Sequence, residues 1–152
     1  MYLLDTNCCS KLLSNDSSVI EKLETLEDTP VSTCAIVRGE LIYMAQNSER
    51  RDENLERFKS FLDDIEVYCV DDKTADTYGE LKACLMKAFG PKAKRKRSKV
   101  KTRQLGVDDN DLWIAAVAKQ HGLTVVSEDK DFERIAEADS AVRIENWSIP
   151  EN

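Results

Sequence analysis

Four acids carry the chemistry this chain can be read for. Asp5 follows the apolar run YLL, Asp111 opens the segment DLWIAAVA, and Asp129 comes just after LTVVS. Strand ends and helix starts are where an α/β sheet gathers its site residues. Glu40 is the fourth acid, placed beside Val37, Leu41 and Met44. A carboxylate that close to an apolar helix face is costly unless it is partnered. One divalent cation would partner all four, because hard oxygen ligands suit magnesium or manganese and the ion relieves their mutual repulsion. Such an ion also lowers the pKa of a water, orients it in line with a phosphodiester, and offsets charge growing on phosphate oxygens, without a histidine or cysteine nucleophile. Asp5, Glu40, Asp111 and Asp129 are therefore the expected metal ligands and catalytic residues.

Simpler roles compete for the same positions. Asp5 and Asn7 suit the cap of a following helix. Asp111 suits the positive end of a helix dipole, as do Asp108 and Asp109. Glu40 has Arg38 and Arg50 nearby in sequence as possible ion-pair partners. Thr6 and Ser127 adjoin candidate ligands and can either bind a water at the metal or serve in turns and caps. His121, the single histidine, precedes Gly122 and reads as a cation at a helix C-terminus rather than as a base. Trp113 and Trp147 read as packing residues.

The elements that must position these acids follow from hydrophobic spacing. Helical faces are traced by Val19, Ile20, Leu23 and Leu26, by Ile36, Val37, Leu41 and Met44, and by Leu55, Phe58, Phe61, Leu62 and Ile65. A further helix is expected from Asp72 to Phe89, with Ala75, Tyr78, Leu81, Leu85 and Phe89 inward, stopping before Pro91. DNDLWIAAVAKQHG, apolar around most of its girth and closed by glycine, reads as a buried helix. YLL, PVST, EVYCV, LTVVS and Val142–Ile144 read as strands, with a short helix at Asp131–Ile135. This alternation predicts an α/β fold with a mostly parallel central sheet flanked by helices.

Composition narrows the function classes. A chain of 152 residues suffices for one domain around a single core. No apolar run approaches the roughly 20 residues that span a bilayer, and Met1 leads straight into YLLDTN without a leader pattern, so a cytoplasmic protein is expected. The five cysteines, two of them adjacent, are expected to be reduced and packed. With one histidine and no C-x-x-C pair, a zinc site is not expected. The net charge of −7 conceals a partition: nine basic residues and no acid lie between Lys87 and Arg103, leaving thirteen basic against twenty-nine acidic residues elsewhere, a net of −16. An acidic body suits a cation, and a basic arm suits a polyanion. Lys92, Lys94, Arg95, Lys96, Arg97, Lys99, Lys101 and Arg103 are the residues expected to contact that polyanion, on a stretch too like-charged to fold alone and expected to be a mobile loop or arm.

YLLDTN, RGELIYM and DNDLWIAAVAKQHGLTVVSEDKDF followed by RIENW together resemble the VapC-like PIN-domain ribonucleases. The resemblance covers nearly the whole chain, and it is the order of these motifs rather than any one of them that is specific. It implies a single PIN-like three-layer sandwich over residues 1–152 with a basic insertion at about 90–105. It further implies the toxin of a toxin–antitoxin pair and a magnesium or manganese site. The acids of that site would lie after the first strand, in a central helix, at the start of a late helix and after the next strand, which places them at Asp5, Glu40, Asp111 and Asp129. The substrate implied is structured RNA such as tRNA, and the partner a VapB-like antitoxin in a homodimer or toxin–antitoxin hetero-oligomer. Two departures stand out. SEDKDF offers Asp131 beside Asp129 for the last position, where proximity to the strand end favours Asp129, and the basic insertion is longer than the pattern. An alternative is a PIN-fold RNA-binding module that has lost turnover, against which the retention of all four acids argues. A phosphatase with an acid-first strand would want a second aspartate where Asn7 stands.

Overall fold

The computed structural model describes residues 1–26 and 29–148; residues 149–152 of the expected domain lie outside them. Five strands form one sheet in the order β3-β2-β1-β4-β5, every pair parallel. They are β1 (Tyr2–Leu4), β2 (Val31–Cys34), β3 (Glu66–Tyr68), β4 (Thr124–Val126) and β5 (Arg143–Glu145). The expected mostly parallel sheet is thus parallel throughout. Its central strands bury both faces: Leu3, Leu4, Val125 and Val126 are almost fully enclosed, as parallel strands covered by helices must be.

Among the described residues, eight helices accompany the strands. They are α1 (Thr6–Leu13), α2 (Ser17–Thr25), α3 (Ala35–Gln46), α4 (Arg51–Asp64), α5 (Asp72–Phe89), α6 (Lys94–Arg97), α7 (Asp109–His121) and α8 (Lys130–Ala138). The segment α7 reads as apolar on most sides because it is buried on most sides, Leu112 and Ile114 to Ala118 being enclosed. Its C-cap Gly122 adopts the left-handed conformation, φ 65, and turns the chain into β4. None of the described helices is long and apolar enough to cross a membrane.

Several local expectations change. The helix α1, expected only as the helix that Asp5 or Asn7 would cap, buries Cys8, Cys9 and Leu13 on one face. Met44 is exposed rather than inward, and so is Ala75. The position that α5 buries instead is Thr74, whose hydroxyl is satisfied by Asp71 and Gln120. A polar group so partnered is inexpensive to bury. Four of the cysteines are buried or half-buried and Cys69 is exposed; all five are free. The basic stretch, expected as an unstructured loop, forms the single turn α6 and then a 3-10 turn, Thr102–Leu105, that buries Thr102 and Leu105. Two buried side chains anchor what charge alone would spread.

Candidate active site

The parallel register delivers the first acid. Leu4 lies beside Val126, so the residues that follow, Asp5 and Ser127, leave the sheet together at its carboxyl edge. Asp5 is 3% exposed. One carboxylate oxygen caps α1 by accepting from the Cys8 amide at 2.7 Å, and the other accepts from the Ser127 hydroxyl. Capping and site lining are therefore both true of Asp5. Burial raises its pKa, while the Ser127 and Cys8 hydrogen bonds pull it back down.

Glu40 faces the same cleft from α3 but is half-buried rather than sunk in the apolar face. Its partners are neither Arg38 nor Arg50. Thr6 Oγ1 donates to one carboxylate oxygen, and Asn110 Nδ2 donates to the other at 2.7 Å. The roles of Thr6 and Ser127 are thus to hold the two carboxylates in fixed orientations, as partners of ligands commonly do.

The other acids converge from α7 and α8. Carboxylate oxygens of Asp111, Asp129 and Asp131 lie within 4.8 Å of one another. Asp129 caps α8 through the Asp131 amide at 3.0 Å, and Asp131 accepts from the Asp108 amide at 2.6 Å. Asp111 receives no hydrogen bond from the described residues. Burial pushes its carboxyl up to about 8, with the charges of Asp129, Asp131, Asp108 and Glu40 adding to the effect. A carboxylate enclosed among four like charges and given no donor fits a site that takes a cation.

The cleft, of about 420 Å³, is lined by Asp5, Thr6, Asn7, Glu40, Tyr43, Met44, Asp108, Asp111 and Asp129. All four expected acids are there. The tightest group among the described residues is nevertheless Asp111, Asp129 and Asp131, with Asp5 and Glu40 lining the same cleft. Asp129 lines the cleft directly while Asp131 is turned to the Asp108 amide. Sequence reasoning missed Asn110, which ties Glu40 to the start of α7, and the wall position of Asp108. Nothing in their spacing signals either. His121 packs against Tyr68, Trp113 stacks on Tyr78, and Trp147 meets Tyr2 edge-on. None of the three lines the cleft. The expected RNA contacts Lys92, Lys94, Arg95, Lys96, Lys99, Lys101 and Arg103 are exposed, whereas Arg97 is half-buried and donates to the Pro91 carbonyl.

A parallel α/β sheet with an acid-lined cleft at its carboxyl edge defines a class, and comparison with known proteins specifies it. The PIN domain family model matches residues 2–138. Ribonuclease VapC2 of Haemophilus influenzae is 30% identical over 149 residues, covering 96% of this chain and 97% of the relative. The tRNA(fMet)-specific endonuclease VapC of Salmonella typhimurium is 29% identical, again over 96% and 97% of the two chains. Among solved structures, VapBC2 from Rickettsia felis bound to a promoter DNA fragment superimposes with a TM-score of 0.74 at 26% identity, over 96% of this chain and 98% of that one. The chain belongs to the PIN domain family, in its VapC-like branch.

Proposed function

We propose that this protein is a divalent-metal-dependent endoribonuclease, the toxin of a toxin–antitoxin pair, which hydrolyses phosphodiester bonds of structured RNA such as tRNA in the cytoplasm. The observation that carries the reading is the convergence of Asp111, Asp129 and Asp131 within 4.8 Å, in a cleft that Asp5 and Glu40 complete. Relatives named as ribonucleases and as a tRNA-specific endonuclease support the reaction class, and neighbours solved as VapBC complexes support a VapB-like antitoxin as partner.

Asp5, Glu40, Asp111 and Asp129 would hold the ion, magnesium or manganese by the hardness of the donor set, with Asp131 adding negative charge beside Asp111 and Asp129. When bound, the ion supplies positive charge against the phosphate oxygens and acidifies water at the scissile bond. Burial and the surrounding acids favour the protonated form of Asp111, and a bound cation would favour its carboxylate. Asp5 and Glu40, each fixed by two hydrogen bonds, present carboxylates in set orientations to the cleft where the phosphodiester would lie. The exposed cations from Lys92 to Arg103 draw the RNA backbone toward a body that otherwise repels it.

Asp111→Asn tests the reading. The variant should fold and should lose RNA cleavage by at least on the order of a hundredfold, because one ligand charge is gone. Full activity in a folded variant would remove Asp111 from the site.

A further inference from the structure

Both ends of the basic arm meet one side chain on the helix that carries two of the acids. The Arg134 guanidinium lies 3.9 Å from the centre of the Phe89 ring, at the end of α5 where the arm begins. Its Nε donates to the carbonyl of Leu105, where the arm ends. Gly106 follows with φ 81, and a Cβ at that position would meet Arg134 Nε at 3.0 Å and Cδ at 3.2 Å. The missing side chain leaves room for the guanidinium. Arg134 stands one turn after Asp131 on α8, the helix capped by Asp129. Asp131 in turn accepts from the Asp108 amide, so α8 grips the returning chain at two points, Leu105 and Asp108. Between those points and the cleft, Arg103 lies 3.9 Å from the carboxylate of Asp108, itself a cleft residue.

We propose that Arg134 is a positioning residue for RNA binding: by tying both ends of the basic arm to the helix bearing Asp129 and Asp131, it sets the arm's cations at the edge of the acidic cleft. The proposal rests on the ribonuclease reading above. Consecutive cations at Lys94–Arg97 repel one another and favour a spread, mobile tether. A tether must be ordered when it binds a polyanion, and that ordering opposes binding. Fixing its base removes part of the opposition before RNA arrives. The guanidinium suits the task, since its carbon lies over the Phe89 ring while its Nε donates to Leu105, and a lysine carries no donor at the Nε position.

Four variants of the full chain test this: Arg134→Lys, Arg134→Ala, Phe89→Leu, and the quadruple change of Lys94, Arg95, Lys96 and Arg97 to Ser. Two quantities are read, the rate of trypsin cleavage within Lys92–Arg103 and the steady-state kinetics of magnesium-dependent cleavage of a long RNA across a salt series. Releasing the clamp should speed trypsin cleavage of the arm roughly tenfold, raise KM by a similar factor at low salt and flatten its salt dependence, with kcat within about twofold of wild type. Arg134→Lys should behave like Arg134→Ala. Phe89→Leu, which keeps an apolar side chain but removes the ring, should move the same quantities in the same direction and guards against a folding failure at position 134. Wild-type trypsin rates and salt dependence in folded Arg134→Lys, or a lower kcat at unchanged KM, would overturn the proposal. If the quadruple Ser variant keeps the wild-type salt dependence, it is the RNA-binding role of the arm that fails. If wild type cleaves no RNA, the ribonuclease reading fails and takes the RNA role of Arg134 with it.

Discussion

Asp111 is where burial and charge conflict most openly. Burial and the neighbouring acids raise its folded pKa to about 8 from an ordinary value of 3.8. Between those values the folded state holds a proton that the unfolded chain has released, so stability falls as pH rises. The contribution is fully present below about 3.8 and is lost as pH passes through about 8. Metal-free protein should therefore melt at progressively lower temperature from pH 5 to pH 9, Asp111→Asn should flatten that decline, and magnesium should restore the melting temperature most at the alkaline end. A metal-free melting curve independent of pH would contradict this account of Asp111. Asp5, Asp111 and Asp129 were legible because each follows an apolar strand or opens an apolar helix. Asp131 was legible only as a rival to Asp129; its contact with the Asp108 amide was not, because that amide comes from another segment. Asn110 gave no signal, since its only distinction is a hydrogen bond across seventy positions of chain.

Elements were readable where burial follows a simple period. The helix α7 and the strands β1 and β4 are enclosed on nearly all sides and read as apolar on nearly all sides. By contrast, α1 buries two cysteines within a helix of only eight residues, and α5 buries Thr74 because a capping box and Gln120 satisfy its hydroxyl. The arm misled for a different reason: its like charges mask Thr102 and Leu105, the two side chains that dock it. The C-terminal glycine of α7 was legible and carries a prediction. Gly122→Ala places a Cβ on a residue at φ 65, where the nearest atom, on Arg143, is 3.8 Å away. The cost is conformational rather than steric, about 1 kcal/mol in a denaturant titration. A stabilised Gly122→Ala variant would show that this cap is not the one that α7 requires.

Across the whole molecule, charge is divided between an acidic body suited to a cation and a basic arm suited to a polyanion. The −16 carried outside Lys87–Arg103 should repel RNA everywhere except at a bound metal, so affinity ought to depend on the arm and on salt. Each phosphate neutralised on a single strand contributes roughly −0.7 to the slope of log K against log salt. Replacing Lys94, Arg95, Lys96 and Arg97 with Ser should flatten that slope while sparing turnover of bound RNA; an unchanged slope would free the arm of any RNA role. Arg97 should contribute least, being turned toward the Pro91 carbonyl. The central claim is that the cleft is a metal-dependent ribonuclease site, and the most direct measurement is cleavage of purified tRNA by wild type and Asp111→Asn, each with magnesium and with a chelator. Cleavage by wild type with magnesium alone, abolished by the chelator and reduced at least on the order of a hundredfold in folded Asp111→Asn, is the result predicted. Cleavage that survives both the chelator and the loss of Asp111 would contradict it.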